Sequence, residues 1–113
     1  MVTSDEKRKD RQDCKLEEIQ KLAAKQQVIY ENEQVLLDVS ALDLDLARVC
    51  DCICKLTDDD FKHSILYPTC PLWMDVYKLP FTSSSNWMGL LYIKLSLSRN
   101  CTKVVVFSFH QDR

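Results

Sequence analysis

Four side chains in the second half of this 113-residue chain could move protons or hold anions: His63, His110, Tyr92 and Lys94. His63 and His110 are its only histidines, and both lie at the edges of apolar runs rather than inside one. Imidazole suits either proton-transfer role because its unperturbed pKa is ~6.5. Tyr92 and Lys94 are two residues apart in an alternating segment, so they share one strand face. Such a set could cleave RNA without metal. A base would activate the ribose 2′-hydroxyl, an acid would protonate the departing 5′-oxygen, and a cation would stabilise the phosphorane-like transition state. Each residue also has a plainer reading. A histidine at an element end can be a capping or surface residue, Tyr92 can snorkel at a sheet edge, and Lys94 can be a solvated face residue. Trp73 and Tyr77 suit core packing better than base stacking.

The elements that would position these groups follow from length and pattern. The chain is sized for one domain, and a hydrophobic fraction of 46% with 28% charged residues is ordinary for a folded, soluble protein. No apolar run approaches the roughly 20 residues of a spanning helix, and the charged Met1–Asp13 stretch has no signal-peptide core. A cytoplasmic protein without membrane association is expected. In that compartment the six cysteines are expected to be free thiols. The formal net charge of -2 hides an asymmetry: residues 60–113 carry six Lys/Arg against three Asp, a local +3, which leaves -5 for the rest. The basic half could present a phosphate-attracting face.

Residues 1–13 read as a charged arm, frayed or forming the solvated start of a helix, and 14–113 as a single domain. Leu16, Ile19, Leu22 and Ala23 recur at helical spacing and predict an amphipathic helix over Cys14–Gln26. A short strand or connector at Val28–Tyr30 and a helix over Glu33–Val39 follow. A third helix carries Cys50, Cys52 and Cys54, with Asp43 or Asp45 as cap. Its apolar positions 46, 49, 50, 53, 54 and 56 suit a buried face, which makes Cys50 and Cys54 small core residues. The alternative for this C-x-C-x-C run is metal, although structural zinc favours C-x2-C pairs. Thr57–Asp60 looks like a helix N-terminus, placing Phe61–Ile65 and His63 on a short helix. Beyond Pro68, strands are expected at Leu72–Tyr77, Gly89–Leu97 and Lys103–Phe109, the last two joined as a hairpin by Ser98–Thr102. In the final strand Val104, Val106 and Ser108 would share one face and Val105, Phe107 and Phe109 the other. The order predicts an α+β fold, with N-terminal helices packed against a mostly antiparallel C-terminal sheet. With Gly89 the only glycine, a glycine-rich phosphate loop is excluded.

Several segments in order carry a family resemblance: Leu44-Asp45-Leu46, Val49-Cys50, Leu56-Thr57, Asp60-Phe61, Trp73-x-Asp75-Val76-Tyr77, Leu91-Tyr92-Ile93-Lys94 and Val106-Phe107-Ser108-Phe109. Over residues 14–113 the chain resembles the motility quorum-sensing regulator (MqsR) toxins. That resemblance implies a RelE-like α+β fold and a ribosome-independent mRNA interferase, an endoribonuclease that cuts single-stranded mRNA. It implies no cofactor and no metal in the toxin. The implied partner is an antitoxin with a zinc-binding N-terminal domain, and the isolated toxin would be a monomer. The family's catalytic tyrosine falls on Tyr92 and the strand lysine on Lys94. Its lysine after Asp-Phe falls on His63, or on Lys62 if the alignment slips by one, and its lysine after Ser-Phe falls on His110. Met74 replaces its glutamine, and Ser83–Asn86 lengthens a hairpin. His63 and His110 are thus expected as base and acid in either order, Tyr92 as an orienting or proton-donating group, and Lys62 and Lys94 as RNA-binding cations. Two other readings stand beside this one. Met74 motivates a catalytically impaired homologue that binds antitoxin or RNA, and the cysteine run motivates a thiol sensor or zinc protein.

Overall fold

The computed structural model describes residues 6–83 and 86–112. In chain order the elements are β1 (Lys7–Lys9), α1 (Leu16–Ala24), β2 (Val28–Tyr30), α2 (Glu33–Ala41), α3 (Leu46–Lys55), a 3-10 turn at Asp58–Asp60, β3 (Phe61–Leu66), β4 (Met74–Thr82), β5 (Met88–Leu97) and β6 (Val104–Gln111). Six strands form one sheet in the order β1-β3-β4-β5-β6-β2. All neighbours are antiparallel except β2 and β6. This is the expected α+β architecture.

Local chemistry sets the helix limits. Asn32 caps α2 by accepting from the Val35 amide at 3.2 Å, and Asp45 caps α3 by accepting from the Arg48 amide at 2.9 Å. Gln20 on α1 donates to the carbonyls of Ile53 (3.2 Å) and Leu56 (2.8 Å), satisfying the C-terminal end of α3 and locking the two helices together. The helices cover one sheet face through Ile19, Ala23, Val35, Val39, Val49 and Ile53, which pack with Tyr77, Leu91, Ile93, Leu95, Val104, Val106 and Phe109. The other face carries a smaller apolar cluster of Ile65, Met74 and Val76, with Tyr67, Cys70, Tyr92 and Phe107 against it.

Four details differ from the sequence reading. Thr57 and Asp60 do form a capping box, but the helix stops after one 3-10 turn. Phe61–Leu66 becomes a strand paired on both edges, so cross-strand pairing overrides the helix-start signal and His63 lies on β3. Lys7–Lys9, read as part of a frayed arm, adds a strand to the sheet edge. In α3 the buried thiols are Cys50 and Cys52, whereas Cys54 is exposed beside the Gln20 carbonyl. β4 runs on through Pro80 to Thr82. Proline is tolerated there because the β3–β4 pairing reaches no further than Phe61 opposite Tyr77, so among the described residues no ladder on that edge is interrupted. The Ser83–Asn86 segment read as an insertion lies partly outside the described residues, at Ser84 and Ser85.

The segment between β1 and α1 is tied to the sheet by one carboxylate. Buried Asp75 accepts from the amides of Asp13 (3.0 Å) and Cys14 (3.0 Å) and from the Ser64 hydroxyl (2.7 Å). Gln12 adds a bond to the Tyr77 hydroxyl at 2.8 Å.

Candidate active site

The face that the helices leave open holds the residues singled out for chemistry, and two β-bulges put them there. On β6, Ser108 pairs with Lys94 but Val106 pairs with Leu95, so Phe107 is an extra residue that reverses the alternation. The predicted facing therefore fails beyond the bulge. Phe109 joins Val104 and Val106 in the helix-side core, and His110 turns to the open face opposite Tyr92. On β3, Phe61 pairs with Tyr77 and His63 with Val76, which makes Lys62 the extra residue. Phe61 stays on the helix side, edge-on to Tyr77 at 5.6 Å, while His63 faces outward with Val76.

Two cross-strand rows result. The first runs Lys78, Tyr92, His110; the second runs His63, Val76, Lys94, Ser108. The Tyr92 and His110 rings stack nearly parallel, 9° between planes and 5.2 Å between centroids. His110 Nδ1 lies 2.8 Å from the Gln111 carbonyl. In the tautomer that donates this bond, Nε2 keeps its lone pair. Lys94 donates to the Tyr67 hydroxyl at 2.9 Å, and its ammonium lies 4.8 Å from the Tyr67 ring centroid and 6.0 Å from that of Tyr92. Lys78 pairs with Asp112 at 3.1 Å. Met74 is buried in the apolar floor beside Tyr92, so that position offers the face no polar group.

The structure brings Tyr92, His110 and Lys94 together but not the two histidines. His63 and His110 lie on strands three spacings apart, about 15 Å between backbones at ~4.8 Å per spacing. Two imidazoles at that separation cannot act together on one phosphate. Lys62 is exposed at its bulge. The sequence reading missed Tyr67, Lys78 and Arg8. Arg8 pairs across from Ile65 and so joins the open face.

Partial burial pushes the His63 pKa below its ordinary value, and the cations Arg8, Lys78 and Lys94 push it further. Neutral His63 is thus the form the fold favours. Its contribution to stability is complete above the unfolded imidazole pKa and is lost as pH falls from there through the lowered folded value. In an NMR titration the free protein should show His63 below ~6.5, and a bound oligonucleotide should raise it by offsetting the three cations. An unchanged value with the oligonucleotide bound would place His63 away from phosphate.

Among the described residues no group of three or more His, Cys, Asp or Glu side chains is arranged to hold a metal ion. Burial raises the pKa of Cys50, Cys52 and Cys54, which disfavours the reactive thiolate. Nor is any described helix long and apolar enough to cross a membrane.

Fold and face together define a small α+β protein with one helix-covered sheet face and one open face bearing cations and aromatic rings. The model of the family described as "Motility quorum-sensing regulator, toxin of MqsA" matches residues 11–111. The chain belongs to this family of toxin–antitoxin toxins. No individual curated protein matches it.

Proposed function

We propose that this toxin is a metal-independent endoribonuclease that cuts single-stranded mRNA at the Tyr92–His110–Lys94 cluster. The observation that carries the reading is the stacking of His110 on Tyr92 beside a fixed ammonium, on a sheet face lined by Arg8, Lys78 and Lys94. His110 Nε2 takes the proton of the ribose 2′-hydroxyl. The 2′-oxygen forms a bond to phosphorus as the P–O5′ bond breaks, and the departing 5′-oxygen takes a proton from the Tyr92 hydroxyl. The products are a 2′,3′-cyclic phosphate and a 5′-hydroxyl. Lys94, held by Tyr67, offsets the charge that builds on the phosphoryl oxygens. His63, Lys62 and Arg8 would hold neighbouring phosphates. The cytoplasm, where mRNA is translated, is the site of action.

The family description supports an antitoxin of the MqsA type as protein partner; a zinc-binding N-terminal domain on that partner is proposed from the family resemblance alone. A neighbouring reading, RNA or antitoxin binding without cleavage, draws on the burial of Met74 where a polar group would serve catalysis. Cutting of single-stranded RNA by the purified protein in EDTA supports the nuclease, whereas binding with no cutting at high protein concentration supports the binding module. Lys94→Ala should weaken RNA binding for all sequences alike and lower the slope of log K against log salt by about one. An unchanged slope would remove Lys94 from phosphate contact.

A further inference from the structure

The open face continues past Tyr92 along the β4–β5 hairpin, and its character changes there. Pro80 pairs with Leu90 and Thr82 with Met88, so these four residues extend the face of Lys78 and Tyr92. All are exposed, Met88 at 76% and Leu90 at 40%. The inner side of the same hairpin is filled: Leu79 and Leu91 are core residues and Phe81 and Trp87 pack against that core. Trp87 lies so close over Gly89 that a Cβ there would sit 2.7 Å from its ring. The outer side therefore presents a bare aliphatic strip that joins directly onto the Lys78–Tyr92–His110 row, with Lys94 in the row beyond. It is firmly held, since the Asp112 amide continues the ladder by donating to the Leu90 carbonyl at 2.8 Å.

We propose that Pro80, Met88 and Leu90 form a base-binding platform for single-stranded RNA, seating the bases of nucleotides next to the phosphate held at Tyr92 and His110. The proposal rests on the ribonuclease reading of that site and extends it to an adjacent subsite. Charge and size favour RNA as occupant. Lys94 in the second row, with Lys78 beside it in its ion pair to Asp112, suits a phosphate backbone, whereas three apolar side chains fall short of the ~800 Å² per partner that a stable protein interface buries. From Tyr92 to Met88 the strand rises about 14 Å, room for about two extended nucleotides. Base faces pack on apolar side chains without regard to sequence, and a methionine sulfur adds a favourable contact to a π-system.

The test uses the full chain and a fluorescein-labelled, unstructured 20-nucleotide strand with 2′-deoxy sugars, which the proposed chemistry cannot cut. Fluorescence anisotropy should show the Met88→Ser/Leu90→Ser variant binding about tenfold more weakly. Its salt slope should equal the parent's, because no phosphate contact is removed. Leu90→Phe, which offers a ring for stacking, should bind more tightly than the parent. Unchanged affinity in both variants overturns the platform, and so does a weakened double variant whose salt slope also falls. The ribonuclease reading is tested separately by the parent chain on the all-ribose strand: binding without cutting refutes the chemistry and leaves the platform supported or overturned by anisotropy alone.

Discussion

His110→Ala is expected to slow RNA cleavage by about 10²–10⁴-fold, the usual contribution of a positioned general base. The side chain stacks on Tyr92 at the half-exposed end of β6, and its ring bond is to the carbonyl of the next residue, so its removal leaves the helix-side core intact. The melting temperature should therefore stay close to the parent's while the rate falls. Tyr92→Phe separates two roles of its partner, keeping the ring on which His110 lies and deleting only the hydroxyl. A loss similar to that of His110→Ala would assign the hydroxyl to proton transfer. His63→Ala should act mainly on KM, since His63 stands about three strand spacings, ~15 Å, from His110. In cells, induced expression of the parent should arrest growth and His110→Ala should relieve the arrest. Initial rates on a labelled single-stranded RNA, measured with EDTA present, check the series. Parent-like cleavage by His110→Ala would remove His110 from the chemistry.

The largest effect on stability is expected at Asp75. Its carboxylate is fully buried and accepts from two backbone amides and one hydroxyl, which together fasten the segment before α1 to the sheet. Asp75→Ala strands the two backbone amides and takes the shorter of two bonds from the Ser64 hydroxyl, which keeps the Met74 carbonyl at 3.3 Å; at ~1 kcal/mol for each lost bond the loss is about 3 kcal/mol. For a chain of this length that lowers Tm by about 12 °C. The same burial raises the carboxyl's pKa, with the three hydrogen bonds working in the opposite direction. Because the folded value lies above the unfolded one, Asp75's contribution is greatest below the unfolded carboxylate pKa and declines as pH rises through the raised one. Asp75→Asn should remove that pH dependence. Thermal melts across pH 3 to 8 check both variants, and a parent-like Tm for Asp75→Ala would show that the segment is held by other contacts.

Much of this architecture is legible in the sequence. Helical spacing at Leu16, Ile19 and Ala23 marks α1, the candidate caps Asp43 and Asp45, of which Asp45 serves, mark the start of α3, and alternation between Leu91 and Leu97 marks β5 with Tyr92 and Lys94 on one face. The open-face residues were harder to place for three physical reasons. A β-bulge leaves no mark in composition, yet the single extra residue Phe107 decides whether His110 points into the core or toward the open face. The pairing partner of β3 lies outside its own sequence, so the capping signal at Thr57–Asp60 pointed to a helix where a strand forms. Lys7–Lys9 has no apolar alternation at all, and only its pairing with β3 makes it a strand and brings Arg8 to the face. Lys78 could have been found, because Met74, Val76 and Lys78 alternate once β4 is extended beyond Tyr77. Tyr67 could not, since it lies between strands and meets Lys94 only through the fold.

The central claim, 2′-hydroxyl attack without metal, is tested most directly by one substrate change. An RNA whose cut position has been mapped is remade with a single 2′-deoxy sugar on the 5′ side of that bond and incubated with the purified chain in EDTA. The account predicts that the all-ribose strand is cut to a 2′,3′-cyclic phosphate and a 5′-hydroxyl, and that the substituted strand survives at that bond. Cleavage of the substituted strand at the same position, or a requirement for divalent metal, would contradict it.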